Sequence, residues 1–157
     1  MRSAYLIEWF KRLDEALTKA KGFARTSAEL EALLSAHLVV LFSGAYEDCI
    51  EHMFSERAAK TNDAEIQEYV QNTCDRLFRN PDFDNIVAAV KLFSDAYADA
   101  LKAKVDVRAR EAISSMVTNK NNVSHGKVSA VTLGDVEDYH QRAIPIFEAL
   151  EDILGLP

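Results

Sequence analysis

Apolar residues recur every three or four positions along almost the whole chain, and no stretch alternates for long enough to form a convincing strand. This spacing is typical of helices that bury one face. The pattern predicts five or six helices, which indicates an all-α bundle. Two long hairpins, formed by the first two and the last two helices, are its expected framework. No repeat, linker or low-complexity segment interrupts the pattern, so residues 1–157 are expected to form a single domain.

Stop and cap residues place the ends of the first two helices. The first is predicted over roughly 3–21, with Gly22 as its stop. The second begins in the stretch TSAE, where Thr26 is the expected cap and Glu29 completes a capping box. It carries the longest apolar stripe, from Leu30 to Phe54, which predicts the central helix of the bundle.

Four further helices are predicted in the second part of the chain. The third covers about 63–78, and the fourth restarts near Pro81 and continues to Leu101. Asp106 is the expected cap of the fifth helix, which runs to His125, and Thr132 is the expected cap of the sixth.

Composition and cysteine placement favour a cytoplasmic protein. The chain of 157 residues has only 5 Gly and 3 Pro, with 48% hydrophobic and 27% charged residues, as in folded soluble domains. Cys49 and Cys74 lie in apolar stripes without metal-ligand spacing, which favours buried free thiols over a disulfide bridge between them. No signal peptide is recognisable at the N-terminus, and the most apolar run, 33–46, is too short to span a bilayer. We therefore expect no membrane partner.

Charge is distributed unevenly. The formal net charge is -7, which disfavours general attraction to nucleic acid. The segment from Lys102 to Lys127, however, contains six basic residues and two acidic ones. Its net charge is therefore +4, and the rest of the chain carries a net charge of -11. The basic segment contains an unusual polar stretch, NKNNVSHGK, at 119–127.

This polar stretch continues a packing face. The apolar face of the fifth helix consists of Ile113, Met116 and Val117. At steps of three and four residues, the same face continues with Lys120, Asn121 and Ser124. Asn121 and His125 are four residues apart and therefore neighbours on the helix. Polar groups directed to a packing side need partners, so a wet cleft, a ligand or another protein is expected here.

Three stretches together resemble the HEPN superfamily of small helical ribonuclease and nucleotide-binding domains, in particular the group associated with RiboL-PSP modules. They are LLSAHLVVLFSGAYEDCIEHMF at 33–54, KNNVSHG at 120–126 and AVTLGDVEDYH at 130–140. The resemblance covers nearly the whole chain. It implies an up-and-down helical bundle that acts as a homodimer, with the motifs of both copies lining one groove.

The chain departs from the family motif at one position. The motif has an arginine separated from the histidine by four to six residues, and here those positions hold Lys120, Asn119 and Thr118. Lysine keeps the positive charge but lacks the two-pronged donor geometry of arginine. The exchange leaves two hypotheses open: an active ribonuclease, or a module that binds RNA, a nucleotide or a protein without cutting.

The resemblance implies a specific reaction. RNA is cut by attack of a 2'-hydroxyl on the adjacent phosphate, without a metal or other cofactor. His125 is then the expected acid or base, Lys120 the phosphate clamp, and Asn121 a group that contacts the phosphate or orients His125. Residues expected to hold the RNA are Arg108, Arg110, Ser124, Lys127 and Tyr139, with Glu47 in a supporting role. The implied setting is prokaryotic defence or toxin–antitoxin function, with a cognate antitoxin or regulatory protein as a possible partner.

Structural interpretations of the same residues remain open. His125 before Gly126 is also what a cationic helix end requires, and Lys120 is also a reasonable surface lysine. Among the other histidines, His37 is expected in the core, whereas His52 and His140 are expected at partly exposed positions. No pair of these histidines has convincing metal spacing. A helical scaffold subunit without a nucleic-acid role is the third hypothesis.

Overall fold

The computed structural model describes residues 1–24, 27–77, 80–127 and 130–156, and this part of the chain forms seven α-helices and no strand. The helices are α1 (Ala4–Ala24), α2 (Ala28–Ala59), α3 (Ala64–Leu77), α4 (Phe83–Lys91), α5 (Asp95–Lys104), α6 (Val107–Ser124) and α7 (Leu133–Leu154). The predicted all-α helical bundle is confirmed. The expected count of five or six helices was too low.

The additional helix results from a break in the predicted fourth helix. α4 ends at Lys91, and α5 begins after Ser94, whose hydroxyl accepts a hydrogen bond from the Ala96 N–H at 3.2 Å. Serine followed by aspartate is a common helix start. The break lies inside an uninterrupted apolar pattern, so hydrophobic spacing alone did not reveal it.

The predicted caps of the last two helices are confirmed. Asp106 accepts a hydrogen bond from the Ala109 N–H at 2.8 Å and so caps α6. Thr132 caps α7 and forms a capping box with Asp135: the Asp135 N–H donates to the threonine hydroxyl, and the Thr132 N–H donates to the aspartate. These caps define the start of both helices of the second hairpin.

Two predictions at the first hairpin need correction. α1 does not stop at Gly22 but continues to Ala24. The N-cap of α2 is Ser27, whose hydroxyl accepts from the Leu30 N–H at 3.4 Å, whereas Thr26 lies outside the described residues. A glycine permits a helix stop but does not impose one, because a glycine inside a helix costs only about 1 kcal/mol relative to alanine.

α2 is the central helix, and α1, α3, α6 and α7 all pack against it. Tyr46 meets His140 near the middle of α2 and α7, and Lys60 donates to the Gly155 carbonyl at their C-terminal ends, so these two helices run in the same direction. α6 and α7 form the second hairpin. α6 therefore runs opposite to α2, and its last turns lie beside the middle of α2, where Lys120 is 3.6 Å from Glu47.

Within the described residues, α2 is the one helix long and apolar enough to cross a membrane by length and composition, a test that core helices of soluble proteins also meet. Its buried face includes large side chains such as Phe42, Tyr46 and Phe54. On another face, Leu33 is 65% exposed and Val40 39% exposed. The described helices therefore cover α2 incompletely.

The histidine placements differ from expectation. His37 is exposed on α2, and His140 is completely buried. His37 follows Leu33 by four residues and shares the uncovered face of α2. His140 follows Val136 by four residues on the buried face of α7. His52 is half-buried, as expected, and stacks on Tyr5.

The cysteines lie where the sequence predicted. Cys49 and Cys74 are both buried, and neither is in a disulfide. Burial raises the pKa of the Cys49 thiol to about 12, so the thiolate is disfavoured and its reactivity is low. Cys49 therefore serves as a packing residue of α2.

Candidate functional site

The polar stretch at 119–127 ends in a defined helix stop. His125 is the C-cap of α6, and Gly126 follows with φ +68°. The Gly126 N–H donates to the Val123 carbonyl at 3.0 Å, and the Lys127 N–H donates to the Asn122 carbonyl at 2.9 Å. This pair of bonds is the Schellman motif, which requires left-handed backbone after the cap and therefore favours glycine. Gly126 thus turns the chain away directly behind His125.

His125 is presented to solvent at this helix end. Its backbone N–H donates to the Asn121 carbonyl at 3.0 Å, while its imidazole makes no hydrogen bond or ion pair with the described part of the chain. Asn121 is half-buried, and Ser124 and Lys127 are exposed. The end of α6 therefore carries an accessible imidazole, a hydroxyl, an amide and an ammonium group within eight residues.

The predicted continuation of the apolar face is confirmed in part. Met116 and Val117 are buried, and Lys120 and Asn121 one turn later are half-buried. Ser124 is exposed, contrary to the prediction that it lies on the packing side. The face therefore becomes more exposed toward the C-terminal end of α6.

Lys120 lies between two other parts of the chain. Its Nζ donates to Asn80 Oδ1 at 3.1 Å and lies 3.6 Å from Glu47 Oε1 on α2. The side chains of Lys120 and Glu47 are 21% and 22% exposed. The structure therefore brings together the expected clamp and the expected supporting residue, and adds Asn80, which sequence reasoning did not identify.

Burial dominates the electrostatics of Glu47. Desolvation raises the pKa of its carboxyl group, while the positive charge of Lys120 acts in the opposite direction. Oε1 is buried and has no hydrogen bond among the described residues, because the ammonium group lies beyond ordinary hydrogen-bond distance. Glu47 and Lys120 therefore form a partly desolvated ion pair between α2 and α6.

Arg110 has a structural role in this conformation. Its guanidinium donates to the carbonyl groups of Val105 and Lys102. It also lies over the Phe83 ring, with 4.8 Å between Cζ and the ring centroid. These contacts cap the end of α5 and join it to α4 and α6.

The remaining predicted binding residues lie on different elements. Arg108 is exposed in the first turn of α6, about seventeen residues and 25 Å along the helix from His125 by the rise of 1.5 Å per residue. Tyr139 on α7 is half-buried and packs against the core. The described structure therefore groups Lys120, Asn121, Ser124, His125 and Lys127 at one end of α6 and leaves Arg108 at the other.

Asn80 was missed because its sequence context indicated only a helix boundary. It precedes Pro81 in the stretch NPDF, which explains why α3 and α4 are separate. Its side chain meets Lys120 across 40 positions of sequence. No local pattern predicts such a contact, since it depends on how α4 packs beside α6.

The chemistry available at the end of α6 is proton transfer and phosphate binding. An imidazole exchanges protons near neutral pH, and an ammonium group stabilises negative charge on phosphate. Among the described residues, no group of three or more His, Cys, Asp or Glu side chains is placed to hold a metal ion.

Comparisons of this chain with protein-family models, with curated protein sequences and with solved structures each gave no match.

Proposed function

We propose that this chain is a metal-independent endoribonuclease of the HEPN kind that acts as a homodimer in the cytoplasm. The observation that carries the proposal is the exposed imidazole of His125 at the end of α6, with Asn121 one turn earlier and Lys120 beside it. The type of reaction is the one implied by the resemblance of KNNVSHG to the HEPN motif. The net charge of +4 between residues 102 and 127 fits an RNA substrate.

The proposed reaction is an internal transesterification of RNA. His125 accepts the proton of a 2'-hydroxyl as that oxygen attacks the adjacent phosphorus. The bond from phosphorus to the 5'-oxygen breaks, and this oxygen takes a proton from a second acid. Lys120 stabilises the negative charge that develops on the phosphate oxygens. The products are a 2',3'-cyclic phosphate and a 5'-hydroxyl end.

A second copy of the chain supplies the second acid in this proposal. One His125 cannot serve as base and acid in the same step, whereas two copies provide two imidazoles in one groove. The uncovered face of α2, with Leu33 and Val40 exposed, offers apolar area for pairing. Glu47, which pairs with Lys120, follows Val40 by seven residues on the same face of α2, so pairing there would bring both motifs together. An antitoxin or regulatory protein is the proposed further partner.

Cleavage of RNA in EDTA tests this proposal directly. End-labelled RNA is incubated with wild type, His125→Ala and His52→Ala, a matched control that removes a half-buried histidine from the other end of α2. We expect wild type and His52→Ala to cleave, and His125→Ala to lose activity by about 100-fold or more. Equal cleavage by all three proteins, or none by any, would refute the proposal.

A second candidate is a HEPN module that binds RNA, a nucleotide or a protein without cutting. The engagement of Lys120 by Glu47 and Asn80 favours it, because a neutralised ammonium group stabilises a phosphate less well. This candidate predicts that wild type binds RNA in a salt-dependent manner and yields no cyclic-phosphate product. Replacement of Lys120 by arginine separates the two candidates.

A further inference from the structure

Asn80 connects the start of α4 with the proposed clamp. The backbone carbonyl oxygen of Asn80 accepts a hydrogen bond from Asn85 Nδ2 at 2.8 Å, and the same side-chain nitrogen of Asn85 donates to Asp82 Oδ2 at 3.1 Å. Asp82 in turn caps α4 by accepting from the Asn85 N–H at 2.9 Å. Pro81, between these residues, is buried. The backbone of Asn80 is therefore held by the helix cap rather than left as an open loop.

The Asn80 side chain points from this anchored position to Lys120. The Nζ–Oδ1 distance is 3.1 Å, within ordinary hydrogen-bond range, whereas Glu47 Oε1 is 3.6 Å from the same nitrogen. Asn80 is thus the closer of these two acceptors. Glu47 attracts the Lys120 ammonium group by its charge, whereas the side-chain amide of Asn80 fixes the orientation of that group, because a hydrogen bond is more angle-dependent than an ion pair.

We propose that Asn80 is a positioning residue that holds the Lys120 ammonium against Glu47, in place for the phosphate of RNA. The inference rests on the proposed ribonuclease function. A lysine side chain is a flexible four-carbon chain that ends in an ammonium group without a fixed plane, whereas the guanidinium of arginine is planar and holds its N–H donors in a fixed arrangement. A chain with lysine at this position needs an external group to orient it, and Asn80 meets that need.

The pKa of the Glu47 carboxyl group depends on the position of Lys120 and can be measured without RNA. Burial raises its pKa, Lys120 lowers it, and the neighbouring carboxylates Glu51 and Asp48 on α2 raise it. If Lys120 moves away, its lowering effect is lost while burial and the two carboxylates remain. The Glu47 pKa then rises further.

The test measures the titration of the Glu47 carboxyl carbon by NMR in four proteins. These are wild type, Asn80→Ala, Lys120→Met and the control Asn72→Ala, which removes an exposed asparagine from α3. We expect the Glu47 midpoint to rise in Lys120→Met, to rise by a substantial part of that change in Asn80→Ala, and to stay at the wild-type position in Asn72→Ala. If Asn80→Ala does not fold, Asn80→Ser replaces it, because serine keeps a polar group that is too short to reach Lys120.

RNA cleavage provides the second measurement. With Asn80→Ala, we expect kcat to fall about tenfold with little change in KM, because the clamp is present but poorly oriented. A Glu47 midpoint that is unchanged in Asn80→Ala, or in Lys120→Met, overturns the inference. Absence of cleavage by wild type overturns the proposed function instead, and the NMR result still decides whether Asn80 positions Lys120.

Discussion

Tyr46 Oη and His140 Nδ1 lie 2.8 Å apart in the centre of the bundle, and both side chains are completely buried. Burial raises the pKa of the Tyr46 hydroxyl and lowers that of the His140 imidazole, so both groups are neutral. Asp14 Oδ1 lies 3.4 Å from Nε2, which favours a proton on Nε2 and leaves Nδ1 to accept from the tyrosine. The contact joins α2 to α7, and Asp14 extends it to α1.

We expect Tyr46→Phe to lower the free energy of unfolding by about 1 to 3 kcal/mol. The substitution keeps the ring but leaves His140 Nδ1 buried without its hydrogen-bond donor. Urea denaturation measures the change. Tyr69→Phe is the matched control, because the Tyr69 side chain is 71% exposed and its loss of a hydroxyl leaves stability nearly unchanged. Equal stability of Tyr46→Phe and wild type would show that the buried bond contributes little.

We expect the free energy of unfolding to fall when the pH drops below about 6.5. Burial lowers the pKa of His140 in the folded protein, against the opposing pull of Asp14. The unfolded chain has an ordinary histidine pKa of about 6.5 and binds the proton first. This contribution to stability is therefore complete above about pH 6.5. It is lost as the pH falls toward the pKa that His140 has in the folded protein, with a slope of at most about 1.4 kcal/mol per pH unit.

Denaturation of wild type and His140→Phe at pH 7.5 and pH 5.5 isolates this effect. Phenylalanine keeps an aromatic ring beside Phe10 and Phe42, which pack against the imidazole, and it removes the titrating group. We expect a smaller loss of stability between the two pH values in His140→Phe than in wild type. His37→Phe, which changes an exposed histidine, should keep the wild-type pH dependence.

Gly126→Ala and Gly22→Ala are expected to have opposite effects. Gly126 has φ +68°, where a side chain costs about 1 to 2 kcal/mol, although an added Cβ would meet no atom within 4 Å. Gly22 lies inside α1 with open space around it, so alanine there should stabilise by about 0.5 to 1 kcal/mol. Thermal and urea denaturation measure both. Destabilisation by both variants would contradict the conformational explanation.

Lys120→Arg is expected to raise RNA cleavage if the chain is a ribonuclease. Arginine keeps the charge opposite Glu47 and adds a planar pair of donors for a phosphate. Initial rates on one RNA in EDTA give the measurement, with Lys127→Arg as the control for a general effect of arginine. If wild type and Lys120→Arg both fail to cleave but still bind RNA, the binding module is the better description.

Features that depend on nearby residues were predictable from the sequence, whereas the burial of individual histidines was not. The caps Asp106 and Thr132, the stop at His125 and the burial of both cysteines were predicted correctly, because each depends on a few neighbours or on helical spacing. His37 and His140 were both misplaced. Each lies on an apolar stripe, and the difference is whether another helix covers that stripe.

The sequence by itself determined the all-helical pattern, the caps Asp106 and Thr132 and the polar character of the end of α6, since these follow from spacing and from backbone hydrogen bonding near each cap. Only the tertiary structure decided that Lys120 meets Glu47 and Asn80, which lie 73 and 40 positions earlier in the sequence. It also decided that His140 is enclosed while His37 is exposed. Such contacts depend on which helices pack together and in which direction, and periodicity within one helix contains no information about its neighbours.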